Sequence, residues 1–142
     1  MEFRRQSQCV YYTRYHLVFV TKYRRKVLKH GMGAFVLGIM RRICAHYPDI
    51  QYIEGNCDED HVHLLISSPP KLPVSKAVNL LKSNSARAML IRFPFLRNLY
   101  DREIGLWADG YFVSTIGVNE SVIKNYIERQ GEEDSGQATL AL

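Results

Sequence analysis

Two histidines separated by one residue, His61 and His63, are the side chains whose type and spacing point most directly to chemistry. They lie in the stretch 57–67, where an acidic turn leads into residues that favour a strand. Because side chains alternate between the two faces of a strand, both imidazoles share one face, about 7 Å apart at Cα. Two imidazoles at that spacing can hold one metal ion. Two histidines on a half-exposed strand are the alternative.

A second pair of candidate side chains, Tyr126 and Gln130, lies near the end of the chain. The apolar residues around this pair recur at helical spacing. Asn119 is the predicted N-cap of the helix, and Gly131 is the residue at which it is predicted to end. Residues four apart are neighbours on one helix face, so the phenol and the amide are predicted to lie side by side. A core aromatic residue beside a solvated glutamine is the alternative.

Both patterns resemble those of one protein family, the single-tyrosine HUH transposases. His61-Val62-His63 resembles the family's His-hydrophobic-His (HUH) motif, and Tyr126 with Gln130 resembles its tyrosine–glutamine helix. The chain is similar, more specifically, to the small transposases of the insertion sequence 200/605 group. The stretches that agree with this group, in the same order, are 15–24, 60–66 and 106–117.

The resemblance implies an enzyme that cleaves and rejoins single-stranded DNA at hairpins near element ends. Tyr126 would be the nucleophile, leaving a 5′-phosphotyrosine and a free 3′-hydroxyl. The metal ligands would be His61, His63 and Gln130, and the ion would be Mg²⁺ or Mn²⁺. Such an ion would offset the weakness of a nucleophile whose ordinary pKa is about 10. The family also implies a homodimer with joined sheets, whose active sites are shared between the subunits.

Two other interpretations of the chain stay open. One is a ferredoxin-like module that binds RNA or DNA without catalysis. The other is a domesticated relative that processes chromosomal repeat hairpins. The basic charge and the fold agree with a binding module, but neither accounts for the paired histidine and tyrosine motifs.

Composition indicates a single globular domain. The chain has 142 residues, enough for a hydrophobic core, and no apolar run approaches the roughly 18 residues of a membrane-spanning helix. The N-terminus has no apolar stretch behind its charges, which predicts that it is not a signal peptide. Three widely spaced cysteines, Cys9, Cys44 and Cys57, predict a reduced chain without a disulfide framework. With the resemblance, these features predict a cytoplasmic prokaryotic protein that meets the nucleoid when active.

The net charge of +5 is concentrated in the first thirty residues, whereas the last residues are acidic. A basic surface suits a phosphate-rich partner, although a soluble basic protein is the alternative. Asp109 lies where many members of the family carry a basic or small residue, which argues against a DNA contact in its loop. Ser83 and Ser85 could contact phosphate from a helix or be solvated. The candidate DNA-binding residues are Arg14, Lys22, Arg24, Arg25, Lys82 and Arg87.

The elements that must position these residues follow the order β-α-β-β-α-β, which is typical of an α+β ferredoxin-like (RRM-like) fold. Its helices would cover one face of an antiparallel sheet and leave the histidine face free, with Tyr126 on an additional C-terminal helix. The predicted strands are 11–23, 51–56, 62–66 and 106–116, and the predicted helices are 33–47 and 74–92. The predicted organisation is a flexible N-terminus at 1–10, a transposase domain at 11–130 and a flexible tail at 131–142.

Alternation assigns a face to each residue of the two central strands. In the first strand, His16, Val18 and Val20 share one face, and Tyr15, Leu17 and Phe19 share the other. In the histidine strand, Val62, Leu64 and Ile66 form the predicted core face. Asp60 is interpreted mainly as a turn former, with the alternative that it orients a histidine ligand.

Overall fold

The computed structural model describes residues 3–100, 105–115 and 120–141. The strands are β1 (Arg4–Gln6), β2 (Cys9–Tyr11), β3 (Arg14–Val20), β4 (Gln51–Cys57), β5 (His61–Ser67) and β6 (Phe112–Ser114). The helices are α1 (Met32–His46), α2 (Val74–Arg92), α3 (Leu96–Leu99) and α4 (Glu120–Ala141).

The site is carried by a four-stranded sheet in the order β4-β5-β3-β6. All neighbouring strands in it are antiparallel. Helix α1 connects β3 to β4, and α2 lies between β5 and β6 along the chain. This is the ferredoxin-like arrangement, so the predicted fold class is confirmed.

One face of the sheet carries the main hydrophobic core. Leu17 pairs with Leu64 and Phe19 pairs with Val62 across β3 and β5. These four side chains are fully buried, and α1 and α2 cover them. Burying each contributes roughly 1.5–3 kcal/mol of transfer free energy, which fixes the register of the two strands. The predicted division of both strands into core and histidine faces is confirmed.

The opposite face, which carries the histidines, is partly covered by α4. Val18 and Val20 of β3 form a second, smaller hydrophobic cluster with Ala108 and Ile127. The prediction that the helices leave this face free therefore holds for α1 and α2, while α4 packs against the middle of it. Asn119, the predicted N-cap of this helix, lies outside the described residues.

Helix α4 does not end at Gly131, so that prediction is wrong: the helix continues to Ala141. A Cβ added at Gly131 would lie 3.2 Å from Cδ and 3.3 Å from Cβ of Arg24. The glycine therefore permits close contact between α4 and the 3-10 turn at Lys22–Arg24 that follows β3. Helical spacing alone could not distinguish this close contact from a helix end.

The N-terminal segment contains more structure than its composition predicts. Strands β1 and β2 form a two-stranded antiparallel hairpin. The Arg4 guanidinium donates to the carbonyl oxygen of Ser67 at 3.1 Å and to that of Asp49 at 3.0 Å. These contacts attach the hairpin to the edge of the sheet, while mobility of either chain end stays a prediction.

The three cysteines are free, as predicted. Burial raises the pKa of the Cys44 thiol and of the Cys57 thiol to about 11. Neither sulfur is therefore a thiolate at neutral pH, which leaves both poorly suited as nucleophiles. Within residues 3–100, 105–115 and 120–141, every helix falls short of the length and apolarity that a membrane crossing requires.

Candidate active site

His61 and His63 occupy the face of β5 that alternation predicts. In the register of the sheet, His61 lies opposite Val20 and His63 lies opposite Val18. Both imidazoles are half-buried, and both line one cavity of about 710 Å³. A cavity of this size leaves room for a phosphodiester segment beside the histidines.

The walls of the histidine cavity come from two parts of the molecule. One wall is the acidic turn 58–60 between β4 and β5, together with Arg24 and Lys26. The other wall is α4, which contributes Ile123, Lys124, Ile127 and Glu128. Cationic and anionic side chains thus both surround the cavity, and its cations could meet a phosphate.

Asp60 holds His61 in a defined orientation. Its Oδ1 lies 2.9 Å from Nδ1 of His61, and its Oδ2 lies 3.6 Å from Nε of Arg24. The hydrogen bond from His61, together with the charges of His61 and Arg24, keeps the pKa of this carboxyl below its ordinary value despite burial. A carboxylate at Nδ1 leaves Nε2 of His61 available as a metal ligand. Asp60 therefore orients the histidine as well as forming the turn.

His63 contacts a third histidine that comes from the neighbouring strand. Nδ1 of His16 lies 3.2 Å from Nε2 of His63. Burial lowers the pKa of His63, and the nearby His16 and His61 lower it further. His63 is therefore neutral at neutral pH, the form in which an imidazole binds a metal ion.

Tyr126 and Gln130 lie on one face of α4, as predicted, and a third polar residue extends that row. The Tyr126 hydroxyl donates to Oε1 of Gln130 at 3.3 Å. Nε2 of Gln130 donates to Oδ1 of Asp134 at 3.2 Å. Gln130 is only 7% exposed and Asp134 only 1% exposed, so these two side chains lie in the protein interior, while Tyr126 is half-buried.

The phenol of Tyr126 is poorly ionised in this arrangement. Burial raises its pKa to about 12, and the negative charges of Glu133 and Asp134 add to the effect. The ring packs against Phe112, with 5.6 Å between ring centroids. A Cβ added at Gly110 would lie 3.0 Å from Oε1 of Gln130, so the loop before β6 closes over the pair.

The histidines and the tyrosine lie on opposite sides of β3. His63 and Phe112 are both paired with Val18, one from each neighbouring strand. Two strand spacings, about 10 Å, therefore separate the histidine column from the column against which Tyr126 packs. In the part of the chain that the structure describes, the residues lining the histidine cavity do not include Tyr126 or Gln130.

The side chains that could bind a divalent ion form two groups that lie apart, the two histidines and the amide of Gln130. His61 and His63 supply two nitrogen donors of the kind that favours Mn²⁺ and other transition ions, and the Gln130 amide supplies an oxygen of the kind Mg²⁺ also accepts. Among the described residues, no group of three His, Cys, Asp or Glu side chains converges as a metal site. A third ligand for such an ion would therefore be of another residue type, such as the amide of Gln130.

Two of the candidate DNA-binding residues are held inside the protein. Lys22 is 5% exposed, with its Nζ 3.5 Å from Oδ2 of Asp109 and 3.6 Å from Oδ1 of Asp134. Lys82 donates to the carbonyl oxygens of Ala108 and Asp109 at 2.6 and 3.1 Å. Both ammonium groups thus stabilise the loop before β6, and Asp109 serves as an ion-pair partner of Lys22.

The other candidates are spread over different surfaces. Arg24 lines the histidine cavity. Arg14 stacks on Tyr12, 4.8 Å from its ring centroid. Arg25 donates to the carbonyl oxygen of Leu99, and Arg87 is exposed on α2.

Ser85 is buried and accepts a hydrogen bond from Trp107 at 3.0 Å. Its predicted alternative as a phosphate contact is therefore wrong, because the hydroxyl is enclosed between α2 and the loop before β6. Ser83 of the same helix is exposed, so its phosphate contact stays a prediction.

Sequence reasoning missed His16 and Asp134 as parts of the site. Alternation placed His16 on the histidine face, but its contact with His63 depends on strand register. Asp134 follows Gln130 by four residues, which is the spacing that paired Gln130 with Tyr126. Ending the helix at Gly131 removed Asp134 from consideration.

Known proteins of one family resemble this chain over most of its length. A family model described as "Transposase IS200 like" matches residues 9–130. The transposase for insertion sequence element IS200 of Salmonella typhimurium is 36% identical over 129 residues, covering 91% of this chain and 84% of that protein. The ISDra2 transposase TnpA of Deinococcus radiodurans is 32% identical over 136 residues, covering 94% of this chain and 95% of that protein.

Solved structures resemble the fold in the same way. A crystal structure from Deinococcus radiodurans R1, assigned as a transposase, superposes with a TM-score of 0.78 at 32% identity, covering 89% of this chain and 97% of that one. A REP-associated tyrosine transposase bound to a REP hairpin superposes with a TM-score of 0.53 at 13% identity. It covers 88% of this chain and 67% of that chain, and at this identity the likeness concerns the fold alone.

Proposed function

This chain belongs to the IS200-like transposase family, and we propose that it cleaves and rejoins single-stranded DNA at hairpin-flanked element ends through a 5′-phosphotyrosine. The observation that carries this proposal is the pair His61 and His63, which line one cavity with Asp60 orienting the first imidazole. A helix bearing Tyr126 and Gln130 packs on the same face of the sheet.

The proposed covalent step transfers one phosphodiester bond to the protein. The Tyr126 oxygen attacks the phosphorus, a new O–P bond to the 5′ side forms, and the bond to the 3′ oxygen breaks. The phenolic proton passes to solvent, and the leaving 3′ oxygen takes a proton from solvent to become a hydroxyl. A 3′-hydroxyl later attacks the phosphotyrosine and reverses these changes, so no nucleotide hydrolysis is required.

We propose that His61, His63 and Gln130 hold a divalent ion, Mg²⁺ or Mn²⁺, at this phosphate. When bound, such an ion polarises phosphoryl oxygens and offsets the charge that develops in the reaction. The neutral imidazole of His63 and the orientation that Asp60 gives to His61 support the assignment of the two nitrogen ligands.

We further propose that a homodimer completes each site. Tyr126 packs toward β6 while the histidines lie toward β5, so one chain in this arrangement presents the two halves apart. A site formed from His61 and His63 of one subunit and Tyr126 and Gln130 of the other would bring them together. In the sequence, Gly117 precedes the helix, and the conformational freedom of a glycine supports this exchange.

A mixed dimer tests the chemistry and the sharing together. Tyr126→Phe and His63→Ala chains, each inactive alone, are co-expressed, and the heterodimer is isolated. With single-stranded hairpin DNA and Mn²⁺, we expect a denaturant-stable adduct only on the His63→Ala chain, because its tyrosine meets intact histidines of the partner. A heterodimer that binds the hairpin but forms no adduct would contradict the shared site.

The DNA form is tested on the wild-type protein. We expect single-stranded hairpin DNA to outcompete a fully paired duplex of the same sequence. Binding should weaken as salt rises, because phosphate contacts release counterions. Equal binding of both forms, with no adduct on either, would favour a non-catalytic nucleic-acid-binding module. Cleavage of chromosomal repeat hairpins in preference to element ends would favour the domesticated alternative.

A further inference from the structure

We propose that Asp134 is a positioning residue that determines which end of the Gln130 side-chain amide faces the reacting phosphate. This inference rests on the proposed function, in which the amide oxygen of Gln130 is a ligand of the metal ion. It assigns a role to a buried carboxylate that neither the histidine motif nor the tyrosine–glutamine helix includes.

The environment of Asp134 is unusual for an acidic residue close to a chain end. Its side chain is 1% exposed, although burying an unpaired carboxylate is costly. Oδ2 accepts the backbone N–H of Tyr23 at 2.8 Å, and Lys22 lies 3.6 Å from Oδ1. The same Oδ1 accepts Nε2 of Gln130 at 3.2 Å. Both carboxylate oxygens therefore have partners, and one of those partners is the candidate ligand.

The carboxylate dictates the orientation of the neighbouring amide. The two ends of a glutamine amide have nearly the same shape, but one end donates and the other accepts. An ionised carboxylate only accepts, so a flipped Gln130 would place two acceptor oxygens 3.2 Å apart. Asp134 thereby keeps the nitrogen inward and leaves Oε1 toward the Tyr126 hydroxyl, where it can act as a ligand.

The same carboxylate also bonds to the turn that follows the central strand β3, and so links the amide of Gln130 to that turn. Tyr23, whose N–H it accepts, has φ +60°, and Arg24 has φ +51°. Both values lie in the left-handed region that non-glycine residues rarely adopt. This turn directly follows β3, the strand between the two halves of the site, so Asp134 couples the orientation of Gln130 to the position of α4 on the sheet.

A reciprocal exchange of the two side chains tests the inference. Gln130→Glu alone places two carboxylates in contact, so we expect the rate of adduct formation to fall and the Mn²⁺ requirement to rise. Adding Asp134→Asn restores a donor opposite the new carboxylate. We therefore expect the double variant to recover about tenfold or more in rate over Gln130→Glu. A merely structural role for Asp134 predicts instead that the two lesions add, and a double variant no faster than Gln130→Glu would overturn the inference.

Two further variants separate positioning from stability. Asp134→Asn alone should raise the Mn²⁺ concentration needed for half-maximal rate while hairpin binding stays near wild type. Glu132→Gln, which removes one negative charge from an exposed residue on the same helix, is the matched control and should leave that concentration unchanged. If Asp134→Asn does not fold, Asp134→Glu replaces it. An unchanged Mn²⁺ requirement in a folded Asp134 variant would contradict the inference.

A measurement without catalysis distinguishes failure of the inference from failure of the proposed function. In ¹⁵N-resolved NMR, the side-chain amide of Gln130 should show one hydrogen protected from exchange by Asp134. That protection should disappear in Asp134→Asn and persist in Glu132→Gln. An amide that exchanges equally fast in all three proteins would overturn the positioning role, even if the wild type forms no DNA adduct. Protection that behaves as expected in a protein without adduct would overturn only the proposed function.

Discussion

The histidine half and the tyrosine half of the candidate site differ in how ready they are for chemistry. His61 and His63 are fixed on a central strand, face an open cavity and include an imidazole held neutral. Tyr126 and Gln130 lie on a helix, bond to each other and are enclosed by the loop before β6. The histidine half is therefore held in place by the sheet, whereas the polar groups of the tyrosine half face each other and the loop before β6.

The physical basis of the difference is how each half is held. Strand β5 is bonded to a neighbour on each side and backed by the main core. Helix α4 is held by a small cluster around Val18 and Val20 and by the polar contacts of Asp134. Fewer contacts have to break to move the helix than to move the strand, so any rearrangement that joins the halves should occur at α4.

Removing the nucleophile should produce the largest effect. Tyr126→Phe lacks the oxygen that would form the phosphotyrosine, so we expect no covalent adduct on a denaturing gel. Hairpin binding should stay near wild type, because the ring still packs against Phe112. Tyr47→Phe, at an exposed tyrosine away from both halves, is the control. Full adduct yield from Tyr126→Phe would transfer the nucleophile role to another residue.

Removing either side chain of the histidine half should have the next largest effect on adduct formation and should leave the structure of the tyrosine half unchanged. We expect His61→Ala and His63→Ala each to lower the adduct rate by at least the 10- to 100-fold typical of outer-shell changes at metal sites, since each removes a ligand itself. Chelation should stop the reaction, and Mn²⁺ or Mg²⁺ should restore it. His46→Ala, at an exposed histidine on α1, provides the comparison. Unchanged cleavage in excess chelator would contradict the metal assignment.

A pair of helical glycines tests whether α4 is closely docked. Gly38→Ala in α1 meets only the flexible end of Arg41 at 3.9 Å and should gain up to about 1 kcal/mol of unfolding free energy from helix propensity. Gly131→Ala should gain less or lose stability, because its Cβ would lie 3.3 Å from the Cβ of Arg24. Denaturant unfolding measures both values. Equal stabilisation would mean that α4 is not held against the turn.

The smallest expected effect concerns the pKa of His63 in the histidine half. The pKa of His63 lies below its ordinary value, mainly through burial and then through His16. His16→Gln should raise the pKa of His63, measured by NMR titration. In the wild type, the unfolded chain binds this proton at higher pH than the folded chain. The contribution of His63 to the free energy of unfolding is therefore complete above the ordinary histidine pKa, and it is lost as pH falls through the lowered pKa of the folded protein. No change in the titration of His63 would show that His16 does not influence it.

Local sequence patterns were sufficient for the scaffold of the site. The alternation in 61–67 and 14–20 predicted both sheet faces, because the side-chain period of a strand is two residues wherever the strand lies. The spacing of Tyr126 and Gln130 predicted their contact, because residues four apart adjoin on any helix. The order of elements then indicated the ferredoxin-like fold.

Contacts between distant residues were decided only by the tertiary structure. His16 meets His63 because of strand register, and Asp134 meets Tyr23 because α4 docks beside the turn after β3. Lys82 was predicted as a DNA-binding cation, but it donates to the loop before β6. Gly131 was predicted as a helix end, but it lies within α4. Local sequence does not reveal what packs against a residue. The placement of Tyr126 on the far side of β3 from the histidines likewise depends on where the helix docks, which no local periodicity encodes.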